Sequence, residues 1–319
     1  VKLLLVILAG LVGLLGVLEV GLRLLGFGNP PIYIADEQIG YLLAPNQRTR
    51  RLGNRIAINE YSMRSEAIAR ERPDSTLRIF LLGDSVANGA WWTDQEQTIS
   101  AKLRSQFQNV SAFDRTEVLN ASANSWGPRN ELAYLQRFGT FGAQVVVVLI
   151  NTDDLFAKAP TAAPVGREQA YPDRKPPFAI AEVLSRLFPP STPPTAKPEA
   201  AENDPVGINL EAIGQIQTLA QNSGAECLLA MTPLLREIGE PGPRDYEIKA
   251  RSRLEEFAQQ QQLTYVDFLP VFNNTDNPQA LYRDHIHLSS QGNEAVSQEI
   301  GRSLQPLLPA TASPATTTP

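Results

Sequence analysis

The sequence predicts an α/β protein whose main body is a three-layer α/β/α sandwich built on a five-stranded parallel sheet. Two patterns lead to this. From Leu77 onward, short apolar runs of strand length alternate with longer amphipathic segments. Strands interleaved with helices imply right-handed crossovers, and these place helices on both faces of a parallel sheet. Four polar blocks then stand after the first three strands and before the last helix, where open parallel sheets present ligand sites. Composition permits such a body, because 319 residues with 43% hydrophobic content amply supply a core for a domain of about 200 residues. A net charge of -6 argues against nucleic acid as a partner.

Taken in order, residues 3 to 18 are apolar and uncharged, and the apolar character continues past Glu19 to Leu25. A helix needs about 20 such residues to cross a bilayer. Residues 1–26 therefore read as an uncleaved transmembrane signal anchor. A removable signal peptide fits less well, since no small-x-small cleavage site follows and the run is long for an h-region. A core helix fits less well because the run is apolar all round. Only Lys2 precedes the segment, whereas Arg23, Arg48, Arg50 and Arg51 follow it, so the positive-inside rule does not favour export. Long domains translocate largely regardless of charge, and the expectation is a membrane-anchored protein whose main domain is extracytoplasmic, in the periplasm or at the cell surface.

Residues 27–75, with Pro30-Pro31 and β-like pieces such as Arg55 to Asn59, read as a stalk with a small extended cap. The main domain spans 76–305, with strands over 77–82, 117–120, 144–150, 226–231 and 264–267. Helices are expected over 94–107, 129–139, 208–222, 244–261 and 289–304. The first of these opens on Thr93-Asp94-Gln95-Glu96, a capping-box pattern. A proline-crowded insertion at 156–205, with a short helix over 179–187, is either a lid or a disordered loop. The low-complexity tail, 306–319, reads as disordered. Cys227 lies in an apolar run, Glu226 to Ala230, and reads as an inert core thiol; a lone cysteine excludes an internal disulfide.

Ser85, in Leu81-Leu82-Gly83-Asp84-Ser85, and the Asp284-His285-Ile286-His287-Leu288-Ser289 block hold the elements of nucleophilic catalysis. A serine hydroxyl needs a positioned base, and the base needs a partner that fixes its tautomer. His287 and Asp284 supply both from one loop. Asp84, beside the serine, reads as a structural cap. His285 and His287 form a His-x-His pair, but the chain has no third histidine, so no metal site is expected. Nothing in the sequence demands a cofactor.

The four blocks, Gly83-Asp84-Ser85, Asn120 to Gly127, Asn151-Thr152-Asp153-Asp154 and Asp284 to Gly292, resemble those of the SGNH hydrolases, the GDSL esterase and lipase superfamily, over roughly residues 76 to 305. The resemblance implies a flavodoxin-like sheet order and an Asp284-His287 pair serving Ser85 in cleavage of a carboxylic O-ester through an acyl-enzyme. Its rate should rise with pH as the imidazole loses its proton and then level off. The resemblance also implies three oxyanion donors: the backbone N–H of Ser85, one from the second block and an Asn side chain from the third. The chain departs from the pattern twice. Ser125 stands in the register of the usual glycine, and Asp153 stands where the amide should be. A carboxylate accepts hydrogen bonds and donates none, so Asn151 is expected to substitute, unless burial keeps Asp153 protonated.

Trp91, Trp92 and Trp126, all close behind the first two blocks, are candidates for binding a sugar ring or acyl chain, with packing beneath the loops as the equal alternative. The expected substrate is an acylated carbohydrate or lipid. Two further readings stay open: an O-acetyltransferase of surface polysaccharide, which the Ile58 to Arg64 stretch also resembles, and an inactive binding protein with the SGNH fold, which Asp153 favours.

Overall fold

The computed structural model describes residues 1–108, 113–188 and 202–308. Helix α1 (Lys2–Leu24) leads into two antiparallel hairpins, β1 (Tyr33–Asp36) with β2 (Gly40–Leu43) and β3 (Gln47–Arg51) with β4 (Asn54–Ile58). The main body follows as β5 (Thr76–Gly83), α2 (Ser85–Asn88), α3 (Ile99–Phe107), β6 (Arg115–Ser122), α4 (Pro128–Phe138) and β7 (Val145–Asn151). It continues through α5 (Ala179–Leu187), α6 (Pro205–Asn222), β8 (Glu226–Thr232), α7 (Asp245–Gln260), β9 (Thr264–Asp267), α8 (Phe268–Asn273) and α9 (Ser290–Leu304).

Strands β5 to β9 form one sheet in the order β6-β5-β7-β8-β9, with every pairing parallel. This is the doubly wound order whose direction reverses beside the first strand, the place where ligands meet such sheets. Successive side chains of a strand face opposite ways, and both faces are apolar here. Phe80, Leu82, Val146, Val148, Leu229 and Met231 face a core shared with α4, α6 and the hairpins. Leu77, Ile79, Leu81, Val145, Val147 and Leu228 face a second core under α3, α8 and α9. Burying one such side chain contributes about 1.5–3 kcal/mol, so register is strongly held: a slip of one residue would exchange the two faces.

The five strands lie within a residue or two of the runs read from sequence. The expected helix over 94–107 is instead a 3-10 turn, Gln95–Gln97, followed by α3. Its capping is also different: the Asp94 carboxylate accepts from Glu96 N–H, and Thr98 Oγ1 accepts from Ala101 N–H at 3.2 Å. Thr98 is the better placed cap, because the extended residue immediately before a helix is the one whose hydroxyl reaches the third amide. The described part of the proline-rich insertion includes the expected 179–187 helix. Residues 189–201 of that insertion and 309–319 of the tail lie outside the described residues. Within 27–75 the two hairpins occupy Tyr33 to Ile58, and Cys227 is buried with its thiol pushed up to about 12 by desolvation.

Candidate active site

The first catalytic candidate is delivered by the end of the buried strand β5. A Cβ on Gly83 would lie 2.6 Å from the Leu149 carbonyl and 2.7 Å from Ala87 Cβ, so the residue before Asp84-Ser85 must lack a side chain. Asp84 then caps α2, its Oδ1 accepting from Val86 N–H at 2.8 Å, as its sequence position suggests. Ser85 stands at the start of that turn with its Oγ at the mouth of the sheet.

The second patch is held by its own turn. Asp284 Oδ1 accepts from the backbone N–H of Ile286 at 3.0 Å and of His287 at 2.8 Å. Arg283 N–H donates to the His287 carbonyl, and a bridge between Tyr282 and Leu288 closes the loop. Ser289 caps α9 through Gly292 N–H, and a Cβ on Gly292 would meet the Leu281 carbonyl at 2.0 Å. The Asp-x-x-His-Leu-Ser-x-x-Gly run is thus a turn, a cap and a close approach in one segment.

These two patches meet. His287 Nε2 lies 3.0 Å from Ser85 Oγ, and His287 Nδ1 lies 2.8 Å from Asp284 Oδ2. With Nδ1–H donated to the carboxylate, Nε2 presents its lone pair to the serine proton. Partial burial works to raise the Asp284 pKa, but the hydrogen bonds from His287 and Ile286 outweigh it and hold this carboxyl below its ordinary value. Asp84 is shifted the other way, because burial raises it against the bonds from Val86 and Ser85. Its Oδ2 is 3.1 Å from Ser85 Oγ, so it competes with the imidazole for the hydroxyl proton most weakly when it is itself protonated. His285 has an 80% exposed side chain, and among the described residues no group of three or more His, Cys, Asp or Glu could hold a metal ion.

Ser85 and His287 open on a cavity of about 340 Å³ whose walls also include Asn88, Trp91, Trp92, Asn124 and Ser125. Trp92 stands edge to face with His287 at 4.8 Å between centroids and with Trp91 at 5.5 Å, and Arg283 lies over both indoles. Trp126 departs from the expected substrate-binding group. Its ring is 1% exposed, among core residues, and its Nε1 donates to the Tyr41 carbonyl at 3.0 Å. The insertion closes one side of the cavity with Gln169 to Pro172. Tyr171 is pinned against Tyr33 and Tyr41 at 5.2 and 5.0 Å.

The oxyanion candidates are divided. Ser125 lines the cavity, holds the left-handed backbone (φ 55°) that glycine normally takes, and its Oγ accepts from Tyr171 OH at 2.8 Å. Asn151 is 2% exposed and outside the cavity wall. Both its Nδ2 hydrogens are engaged, by Asp84 Oδ2 at 2.9 Å and Asp154 Oδ2 at 2.8 Å, which leaves neither for a substrate oxygen. Asp153 is exposed on the 3-10 turn after β7 and also lies outside the cavity wall, its pKa raised by partial desolvation. Asn124 was not singled out in the sequence. It lines the cavity with its Oδ1 buried and unpartnered among the described residues; its position inside the second block was the available signal.

Arg64 ends the Ile58 to Arg64 stretch, and no side-chain pattern there marks its role. It is 1% exposed and donates to the carbonyls of Asn88, Ala90 and Thr93. It thereby ties down the loop that carries Trp91 and Trp92, and burial depresses its pKa to about 10.

A strand-end serine thus stands in reach of a histidine and an aspartate at the reversal point of a 2-1-3-4-5 parallel sheet. The chain belongs to the GDSL-like lipase/acylhydrolase family, whose model matches residues 81–295. It is an SGNH-type ester hydrolase. None of the curated proteins matches it. Among solved structures it is similar to TesA, at 18% identity and a TM-score of 0.47, covering 72% of this chain and 99% of that one. An acetylxylan esterase from Geobacillus stearothermophilus is similar at 14% identity and a TM-score of 0.48, covering 72% and 94%. A putative lipolytic protein of the G-D-S-L family from Desulfitobacterium hafniense is similar at 16% identity and a TM-score of 0.44, covering 71% and 99%.

Proposed function

We propose that the protein is a serine esterase that cleaves a carboxylic O-ester through an acyl-enzyme on Ser85, with His287 as base and Asp284 as its orienting carboxylate. The observation that carries this is the unbroken relay of 3.0 Å from Ser85 Oγ to His287 Nε2 and 2.8 Å from Nδ1 to Asp284. Ser85 Oγ attacks the ester carbonyl as its proton passes to Nε2. The imidazolium, held by Asp284, returns that proton to the leaving alcohol, and water repeats the sequence to release the acid. Developing charge on the carbonyl oxygen is received by the backbone N–H groups of Ser85 and Ser125. The third donor is the Asn124 side-chain amide, in the role first expected of Asn151 or Asp153. Trp92 and Trp91 form the acyl or sugar wall of the cavity.

Helix α1 is long and apolar enough to span a bilayer, with a mean hydropathy of 2.7 and no buried residue. We read it as the anchor of an extracytoplasmic catalytic domain. Hydrolysis of an activated acetyl ester by wild-type protein, measured beside Ser85→Ala, tests the esterase reading. Activity that survives in Ser85→Ala would remove it.

A further inference from the structure

Helix α5 presents its apolar side outward. Glu182 is 6% exposed, bonded to Arg51 at 2.6 Å and to Arg186, and it accepts from Gly28 N–H at 2.6 Å. Ser185 is held by Gln169. The opposite side and the helix ends carry Phe178, Leu184, Leu187 and Phe188, exposed by 60, 49, 66 and 74%. A surface helix on a soluble body ordinarily buries its apolar stripe. Four large exposed apolar side chains between Phe178 and Phe188 mark a contact surface.

The attachment of α5 to α1 indicates what covers it. The start of α5 is fastened to α1: Glu19 accepts from the backbone N–H of Ala179 at 2.9 Å and of Ile180 at 3.0 Å, and Arg23 donates to the Pro177 carbonyl at 2.9 Å. Glu19 and Arg23 pair with each other at 2.6 Å and are the first charges after the uncharged run of 3 to 18. At 1.5 Å per residue α1 is about 35 Å long, and Glu19 stands roughly 7 Å below its end. If α1 spans a hydrocarbon layer of about 30 Å, Glu19 and the start of α5 lie at the boundary with the headgroups.

We propose that α5 is an interfacial helix that lays Leu184, Leu187, Phe178 and Phe188 into the surface of the membrane that α1 spans. The proposal rests on the anchor reading of α1 and deepens the esterase reading. Arg186 of α5 and Pro30-Pro31, just beyond α1, line the same cavity as Ser85 and His287. Six residues from Leu24 to Pro30 reach at most about 20 Å, so the cavity wall is held close to the membrane surface. The substrate class this geometry suits is an ester-bearing amphiphile resident in that membrane, presented at the headgroup level.

The test uses the full chain in phosphatidylcholine–phosphatidylglycerol vesicles. Cys227 is buried, so a single added cysteine takes an environment-sensitive fluorophore at Leu184→Cys, Leu187→Cys, Val12→Cys or Gln259→Cys, with nitroxide-bearing lipids as quenchers. Labels at 184 and 187 are expected to be quenched at least twofold more than the α7 label at 259, most strongly by a nitroxide near the headgroup. Quenching at 12 with none above the 259 level at 184 and 187 overturns the interfacial helix and leaves the anchor standing. No quenching at 12 overturns the anchor, and the interfacial helix with it. A Leu184→Glu, Leu187→Glu double variant gives the functional arm. It should keep its rate on a soluble short-chain aryl ester and lose at least fivefold on a vesicle-resident acyl ester. Equal rates on the vesicle ester would overturn the proposed substrate class.

Discussion

His287 Nε2 lies 3.0 Å from Ser85 Oγ, although the two residues are 202 positions apart in the chain. One follows the first strand of the sheet and the other precedes the last helix, and the parallel order β6-β5-β7-β8-β9 folds both onto the carboxyl end of the strands. Loss of the hydroxyl in Ser85→Ala or of the ring in His287→Ala is expected to lower kcat by about 10³ or more, with the double variant little worse than either single one, as for residues that act as a unit. Steady-state kinetics on a soluble ester check this.

Asp284 gives a pH dependence with a definite sign. Its carboxyl is held below the ordinary range, so its stabilising contacts are present above the unfolded value and are lost as pH falls through the lower folded value. Melting curves of wild type should therefore show this stabilisation at neutral pH and its loss in acid. In Asp284→Asn the amide keeps the shape but favours the wrong tautomer, and kcat should drop by about 10⁴ with KM little changed. A pH–rate profile of both proteins measures it.

Asn124 and Asn151 separate by readout. Asn124→Ala should cost about 10² in kcat, the usual worth of one oxyanion donor, with an unchanged melting temperature. Asn151→Ala should act on stability, because Asp84 and Asp154 lose the donor they share, and burial followed by the charge of Asp84 already pushes Asp154 well up. A loss of about 1–3 kcal/mol is expected by denaturant titration. The reverse pattern would return the donor role to Asn151.

Glu131 is fully buried with neither carboxylate oxygen partnered among the described residues, and burial, then the charge of Asp84, pushes its pKa well above the ordinary value. A raised folded pKa means stability that is full at low pH and lost as pH rises through the folded value. Glu131→Gln should be close to neutral in mild acid and more stable than wild type in alkali, which a pH series of melting curves would reveal.

Sequence pattern carried the sheet because both faces of β5, β7 and β8 are buried and each strand contains an unbroken apolar run, Ile79 to Leu82, Val145 to Ile150 and Cys227 to Met231. It brought out Ser85, Asp284 and His287 as candidates because a turn and a helix start fix those spacings locally. It did not single out Asn124 within the second block, because that residue's place is defined by a cavity wall made with residues from β2, β4 and the insertion. Nor did it carry the burial of Trp126, since an indole near a site block reads alike whether it faces a ligand or the Tyr41 carbonyl. The break between Gln97 and Ile99 was hidden because Thr93-Asp94-Gln95-Glu96 and Thr98 are both plausible caps, and only packing of Ile99 and Leu103 on the sheet selects the second. Arg64 was illegible as a brace because its partners are backbone carbonyls, which leave no mark in side-chain pattern.

Covalent labelling with a fluorophosphonate tests the central claim most directly, because it reads the activated serine without knowledge of the substrate. Wild type is expected to take one label, on Ser85, at a rate that collapses in His287→Ala, while Ser85→Ala takes none. A wild-type protein that stays unlabelled under conditions where it is folded, or a label that persists in Ser85→Ala, would contradict an activated nucleophile at this position.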